Sequence, residues 1–145
     1  PVPGAVLDLP MTVPNLERAV YVWYQASHGR PVPWGLNDPM PVPLLRNRLT
    51  TTLIRLEATR ARSLPPQVPQ LDLVVAGQVL SRQGYRYVVL HEALVPEFKR
   101  LQMIALLDGV FGAGREYPED RLRVWVLPDL GGGVADAAVQ DSGAP

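Results

Sequence analysis

Apolar residues recur at helical spacing in one part of the chain, "PLLRNRLTTTLIRLEATRARSLPP". The spacing is carried by leucines at steps of four, four and three: Leu45, Leu49, Leu53 and Leu56. Arginines occupy most of the other positions around the helix axis, so one side of the helix would pack against the core and the other would face water. This pattern predicts a single amphipathic helix over about 44–62, which the pair Pro65-Pro66 would end.

After Pro69 the period changes to one that is typical of strands. Four β-rich runs follow one another: "LDLVVAGQVLSR", "YRYVVLHEALVPEF", "RLQMIALLDGVFG" and "RLRVWVLPDL". Short polar or glycine-containing connections between such runs favour an antiparallel meander. In the last run the pattern predicts a core face of Leu122, Val124 and Val126, and a wetter face of Arg121, Arg123 and Trp125.

The segment "RAVYVWYQAS" (18–27) fits either a helical stripe or a β-branched, aromatic strand. We predict a strand. Nine of the sixteen prolines lie in the first 43 residues, and they indicate an extended arm and loops over 1–14 and 31–43. The Gly- and Ala-rich end, 131–145, is expected to be a flexible tail.

One strand, a helix and four strands together predict an α+β fold. We expect a single domain over 1–130, with a mainly antiparallel sheet of four to five strands and the 44–62 helix packed on one face. The two middle runs are apolar on both faces. Such strands are covered on both sides, for example by a helix on one and an oligomer partner on the other.

The composition of the chain limits the classes of function that it can have. The chain has 145 residues, with 14 basic and 14 acidic side chains that cancel, so no global field recruits nucleic acid, and we do not expect nucleic-acid binding. The absence of cysteine excludes disulfides, thiolate nucleophiles and iron–sulfur clusters. No apolar run is long enough to span a bilayer. Proline at position 1 disfavours signal-peptide cleavage, so we expect a cytoplasmic protein, with the periplasm as the alternative.

The stretch "YRYVVLHEALVPEF" looks most like chemistry, because His91 adjoins Glu92. Successive strand residues point to opposite faces, so a regular strand keeps these two side chains apart. His91 would share a face with Tyr85 and Tyr87. We therefore interpret His91 as a packed sheet histidine rather than half of a catalytic pair, with a catalytic or pH-sensing role as the alternative.

The remaining motifs give weaker evidence for a catalytic or ligand-binding site. His28 lies in a predicted loop beside Gly29 and Arg30, and no histidine spacing typical of a metal site is present. "DGVFGAGRE" has neither the glycine order nor the following helix of a phosphate loop, so we predict a hairpin connection. "EYPED" reads as a solvated turn, and no GxSxG occurs. We expect no metal and no cofactor.

The order "AGQVLSRQGYRYVVLHEALVP", "LLDG" and "RLRVWVLPDL" over residues 71–130 resembles the CsiV-type periplasmic peptidoglycan-binding proteins. Their pattern has a Tyr/Phe-x-Val-Leu-x-His-x-Ala-Trp strand, in which Leu94 stands here for the tryptophan. The resemblance implies cell-wall binding in support of a peptidoglycan synthase regulator, with His91 as the one residue that it would carry over.

The leading hypothesis is a non-catalytic binding or assembly domain that engages a protein partner or its own copies. Aromatic residues and arginine are favoured interface anchors. The predicted interaction residues are Tyr21, Trp23, Tyr24, His28, Arg30, Trp34, Tyr85, Tyr87, His91 and Trp125. The alternatives are a peptidoglycan-binding accessory protein and a small hydrolase-like enzyme that uses His91 or His28.

Overall fold

A computed structural model describes residues 4–13, 15–32, 38–59 and 68–129, with the side chains of 15–18 left undescribed. Trp34 and the tail 131–145 lie outside these residues. The described strands are β1 (Ala5–Leu9), β2 (Tyr85–His91), β3 (Arg115–Tyr117) and β4 (Leu122–Val126). The described helices are α1 (Asn15–His28), α2 (Val42–Arg46), α3 (Arg48–Ala58), α4 (Gln70–Arg82) and α5 (Glu97–Phe111).

The described strands form one sheet in the order β1-β2-β4-β3. β1 pairs with β2 in parallel, and β4 pairs antiparallel with both β2 and β3. The fold is therefore α+β as predicted, but the sheet is mixed rather than mainly antiparallel. The parallel pair arises because β1 and β2 are joined by a long crossover that carries four helices.

The main core lies between one face of this sheet and the helices α2 to α5. Leu7 and Leu9 of β1, Val88 and Leu90 of β2, and Trp125 of β4 supply the sheet side. The helices supply Leu44, Leu49, Leu53, Leu56, Leu73, Ala76, Leu80, Met103 and Leu107. The contacts of α1 lie instead with the opposite face, where Tyr21 and Tyr24 pack against His91. Arg30, just after α1, lies over Tyr87 on the same face.

Three segments predicted as strands are helices. Residues 18–27 lie in α1, "LDLVVAGQVLSR" forms α4, and "RLQMIALLDGVFG" lies mostly in α5. Helical spacing is present in α4, where the buried residues are Leu73, Ala76, Gly77 and Leu80, but apolar residues on its exposed side hide the period. Both α4 and α5 exceed the length of ordinary strands and begin directly after a proline, which are the signals that favour a helix.

The helix predicted over 44–62 is two helices. Asn47, in an extended conformation, ends α2 and caps α3 by accepting hydrogen bonds from the backbone N–H groups of Leu49 and Thr50. Its side-chain amide also donates to the carbonyl of Ala76 at 2.9 Å, which ties the break to α4.

The predicted leucine stripe holds only in α3, where Leu49, Leu53 and Leu56 are buried. In α2, Leu45 is 49% exposed and its neighbour Leu44 packs in the core instead, because the break at Asn47 interrupts the helical period. Residues 60–62 lie outside the described part of the chain.

The sequence prediction missed β1 and reversed the faces of β4. The five residues "AVLDL" lie in the predicted proline-rich arm, yet they form a strand that is buried from Val6 onward. In β4, Trp125 is 1% exposed and Val126 is 59% exposed. The face predicted to be wetter therefore packs in the core, and the apolar face of Leu122, Val124 and Val126 points away from it.

Candidate functional site

The carboxylate of Asp8 lies next to the imidazole of His91. The parallel register places Asp8 opposite Val89, so Asp8 and His91 lie on the same face of neighbouring strands. Asp8 Oδ1 and His91 Nε2 are 2.8 Å apart, and both side chains are almost fully buried. The other carboxylate oxygen, Oδ2, is buried without a hydrogen-bond partner. The pair is thus held in a site from which water is largely excluded.

Two aromatic residues of α1 cover this pair. The ring of Tyr21 lies 4.5 Å from the His91 ring, between centroids, and that of Tyr24 lies 5.4 Å away. The Tyr21 hydroxyl donates to the carbonyl of Pro10 at 2.8 Å, just after β1. Tyr21, Tyr24 and His28 recur at helical spacing, so one face of α1 points toward Asp8 and His91. A ligand could reach the pair only if α1 moved aside.

The end of α1 and the residues just after it lie against the sheet. His28 Nδ1 accepts a hydrogen bond from the backbone N–H of Arg30 at 3.0 Å. Partial burial lowers the pKa of His28, an effect that Asp8 opposes and Arg30 reinforces. The Arg30 guanidinium lies 4.4 Å above the centre of the Tyr87 ring. This end of α1 therefore covers β2 near the start of that strand.

Glu92 does not contribute to the His91 site. It accepts a hydrogen bond from Arg123 at 3.0 Å, on the core side of β4. Arg86, on the same face of β2 as Glu92 would be, contacts Asp129 at 2.7 Å. The separation of His91 and Glu92 predicted from the strand is present. Asp8, in contrast, could be found only from the pairing of β1 with β2.

The structure brings six of the predicted interaction residues into one area: Tyr21, Tyr24, His28, Arg30, Tyr87 and His91. Tyr85 is half-buried against the main core, and burial raises its pKa. Trp23 is 74% exposed on α1. Trp125 lies in the core and donates from Nε1 to Asp108 at 2.8 Å. It offers no surface to a partner.

Residues of the "DGVFGAG" segment hold the Trp125 side chain in place. Asp108 Oδ1 accepts hydrogen bonds from the Trp125 indole and from the backbone N–H of Gly114. A Cβ at Gly114 would lie 2.5 Å from the Trp125 ring. The segment ends α5 at Gly112 and leads into β3, so it joins a helix to a hairpin rather than connecting two strands. Asp108 and Gly114 are spaced to seat the buried tryptophan.

Among the described residues, α1 covers only one half of the second face of the sheet. The antiparallel register places Leu122, Val124 and Val126 on the face of His91, Val89 and Tyr87, and it places Tyr117 opposite Leu122. α1 contacts the β1–β2 half. The β3–β4 half exposes an apolar surface, with Val126 59% and Tyr117 38% exposed. We call the four residues of this half the open sheet patch: Tyr117, Leu122, Val124 and Val126.

Arg115 and Glu116, the charged residues of β3, lie on opposite faces of the sheet. Arg115 lies opposite Val124, and its guanidinium lies 5.1 Å from the centre of the Tyr117 ring. Glu116 points to the other face, where it contacts Arg123 at 3.3 Å. The paired positions of β3 and β4 on this face therefore carry one cation and no carboxylate. Glu119 and Asp120 lie in the exposed turn that joins the two strands.

A second, smaller feature lies between α2 and α4. An open groove of about 310 Å³ is lined by Val42, Pro43, Arg46, Asn47, Val79 and Gln83. Leu71 and Val75, which precede Val79 at steps of four along α4, are exposed. Nothing in the structure indicates what would occupy this groove.

Among the described residues, no three His, Asp or Glu side chains are grouped closely enough to hold a metal ion. In the same part of the chain, no helix has the length and apolar character needed to cross a membrane. No protein-family model matches the sequence, and no curated protein and no solved structure is significantly similar to it. The likeness of residues 71–130 to the CsiV-type proteins therefore stays a prediction.

Proposed function

We propose that this chain is a non-catalytic protein-binding domain that docks a protein on the open sheet patch. The observation that supports this proposal is the half-covered second face, on which apolar β4 side chains meet water beside a half that α1 covers. An open sheet face of this kind is typical of an interaction surface, because isolated exposed apolar residues are common but contiguous ones are not.

The chemistry of the open sheet patch suits protein docking. Its centre is aliphatic, from Leu122, Val124 and Val126, while Tyr117 and Arg115 stand at its edge. Tyrosine and arginine are enriched in protein interfaces, and charged residues are depleted at interface centres. β3 itself is short and charged, which disfavours pairing of a further strand at that edge. A partner would therefore cover the face of the sheet rather than extend it.

In this proposal the Asp8–His91 pair is structural. It fixes the β1–β2 half beneath α1, so that α1 and the open sheet patch keep constant positions. No serine, threonine or cysteine is among the described contacts of the pair, and the rings of Tyr21 and Tyr24 cover it. Catalysis by His91 would need α1 to leave the sheet.

Photocrosslinking tests the proposal. A benzophenone amino acid is placed at position 126, and in a control chain at position 101. Val126 and Leu101 are 59% and 58% exposed, so the two probes sample water equally. Leu101 lies on α5, on the opposite side of the sheet. After irradiation in the native host, adducts are identified by mass spectrometry.

We expect a defined protein adduct at position 126 that is missing at position 101. The adduct should be lost when Val124→Asp places a carboxylate in the centre of the open sheet patch. Circular dichroism and thermal unfolding of this variant establish that it is folded. The proposal is wrong if position 126 gives no protein adduct, or if both positions give the same adducts.

A further inference from the structure

We infer that the partner on the open sheet patch is α1 of a second copy of this chain, in a two-fold symmetric dimer. This inference rests on the proposed function and names its partner. Each copy would offer α1 to the open sheet patch of the other. The second face of each sheet would then be covered by two helices, one of its own and one of the other copy.

The shape of the second face supports this arrangement. α1 with its side chains is roughly 10–12 Å thick, and it stands on the β1–β2 half only. Among the described residues, the β3–β4 half beside it has no such cover and forms a step. A ridge beside a step fits a second copy of itself when the two-fold axis runs along the strands. A symmetric interface of this kind uses the same surface on both copies.

The outer side of α1 carries the side chains that such a contact needs. Trp23 is 74% exposed and Val20, one turn earlier, is 38% exposed. Tyr21 and Tyr24 point to the sheet, so Trp23 points away from it. Trp23 lies level with the stretch of sheet that includes His91. In the symmetric dimer, Trp23 would therefore lie over the part of the other copy's sheet that includes Leu122, because Leu122 pairs with His91.

The charges are compatible with the same contact. Arg115 is the charged side chain at the paired positions of β3 and β4 on this face. A guanidinium beside an indole is a favourable cation–π contact. A tryptophan that leaves water for an apolar surface is among the strongest interface anchors. Symmetry repeats this contact, so two tryptophans and two open sheet patches are buried together.

Disulfide trapping tests the inference, and the chain suits it because it contains no cysteine. Purified Trp23→Cys and Leu122→Cys chains are mixed at high concentration under mild oxidation. We expect a mixed disulfide between position 23 of one chain and position 122 of the other, because a disulfide forms only between Cα atoms within about 7 Å. The control mixes Trp23→Cys with Leu101→Cys, whose cysteine would be exposed on α5, and it should give no such product.

Two results would overturn the inference. One is the absence of the mixed disulfide above the level of the control. The other is efficient self-crosslinking of Leu122→Cys alone, because that would place two open sheet patches against each other. Circular dichroism of each cysteine variant is compared with that of the wild-type chain, so that misfolding is recognised.

Sedimentation equilibrium gives an independent measure. We expect Trp23→Ala to raise the dissociation constant of the dimer at least about tenfold. Leu101→Ala should leave it unchanged. A wild-type chain that sediments as a monomer at the highest concentration would overturn the inference. If position 126 still crosslinks to a different protein, the proposed function stands and the second copy is not the partner.

Discussion

Asp8 and His91, 83 residues apart in sequence, meet side chain to side chain at 2.8 Å beneath α1. Asp8 belongs to the first strand and His91 ends the second, so the contact exists only after the parallel pair has formed. It lies on the face opposite the main core, among polar and aromatic groups. The pair therefore links the placement of α1 to the pairing of β1 with β2.

Removing one member of this pair should be costly. Asp8→Val leaves His91 buried without its partner, and we expect the free energy of unfolding to fall by roughly 2–4 kcal/mol. Urea denaturation of the wild-type and variant chains measures this change. Replacing both members by apolar residues, as in Asp8→Val/His91→Phe, should cost less than the sum of the single changes. Additive costs in this double-mutant cycle would show that the contact contributes nothing.

Gly114 should be intolerant of any side chain. A Cβ there would lie 2.5 Å from Cε2 of Trp125, which is itself fixed by its bond to Asp108. We expect Gly114→Ala to destabilise the fold by about 1–3 kcal/mol through overpacking. The comparison is Gly109→Ala in α5, where the new Cβ meets the flexible Gln70 side chain at 3.3 Å.

Gly109→Ala should be neutral or stabilising by up to about 1 kcal/mol, because alanine favours a helix. Urea denaturation measures both variants. In a Trp125→Leu background the penalty of Gly114→Ala should shrink, since the clashing ring is gone. An unchanged penalty there would mean that the glycine is needed for its backbone conformation instead.

The fold class and two strands could be predicted because their signals are local. Period-two alternation fixes β2, and β4 has the same pattern. The helices α1, α4 and α5 were missed because each carries exposed apolar residues, such as Trp23, Leu71 and Leu101, that blur the helical period. Which face of β4 is buried was predicted wrongly, because two arginines share a face with Trp125 and the packing of Trp125 in the core decides the orientation.

The site was less predictable than the fold. Strand alternation correctly separated His91 from Glu92, and it placed Tyr87 on the face of His91. The partner Asp8 carried no signal, because a single aspartate in "AVLDL" indicates nothing until the strand is paired. The open sheet patch follows from the two registers of β4 together. Three of its residues, Leu122, Val124 and Val126, had been predicted to face the core.

Asn47 should stabilise the fold through two sets of hydrogen bonds, one that caps α3 and one that reaches α4. Its Oδ1 accepts from Leu49 and Thr50, and its Nδ2 donates to Ala76. Asn47→Ala removes both functions, and we expect a loss of roughly 2–4 kcal/mol in the free energy of unfolding. Asn47→Ser keeps a capping hydroxyl but cannot reach Ala76, so its loss should be smaller, about 1–2 kcal/mol. Equal losses in denaturant titrations would mean that only one of these contacts matters.

Glu57 should make the stability of the fold depend on pH. Its carboxylate accepts hydrogen bonds from the backbone of Met11 and Thr12 and from the Thr12 hydroxyl, which fixes the chain after β1. Burial nevertheless raises the pKa of Glu57, and the bonds to Thr12 and Met11 oppose this rise only in part. Between the unfolded and folded pKa values, the folded chain binds more protons than the unfolded chain.

The free energy of unfolding should therefore fall as pH rises from the unfolded pKa of Glu57, near 4.5, through its higher folded value. The contribution is fully present below the unfolded pKa and is lost above the folded one. Glu57→Gln cannot titrate, so the difference between wild-type and variant stability isolates this slope from the other carboxylates. Urea titrations between about pH 3 and pH 8 measure it, over the range in which carboxyl groups ionise. A difference that stays constant, or that grows with pH in this window, would show that the hydrogen bonds outweigh burial.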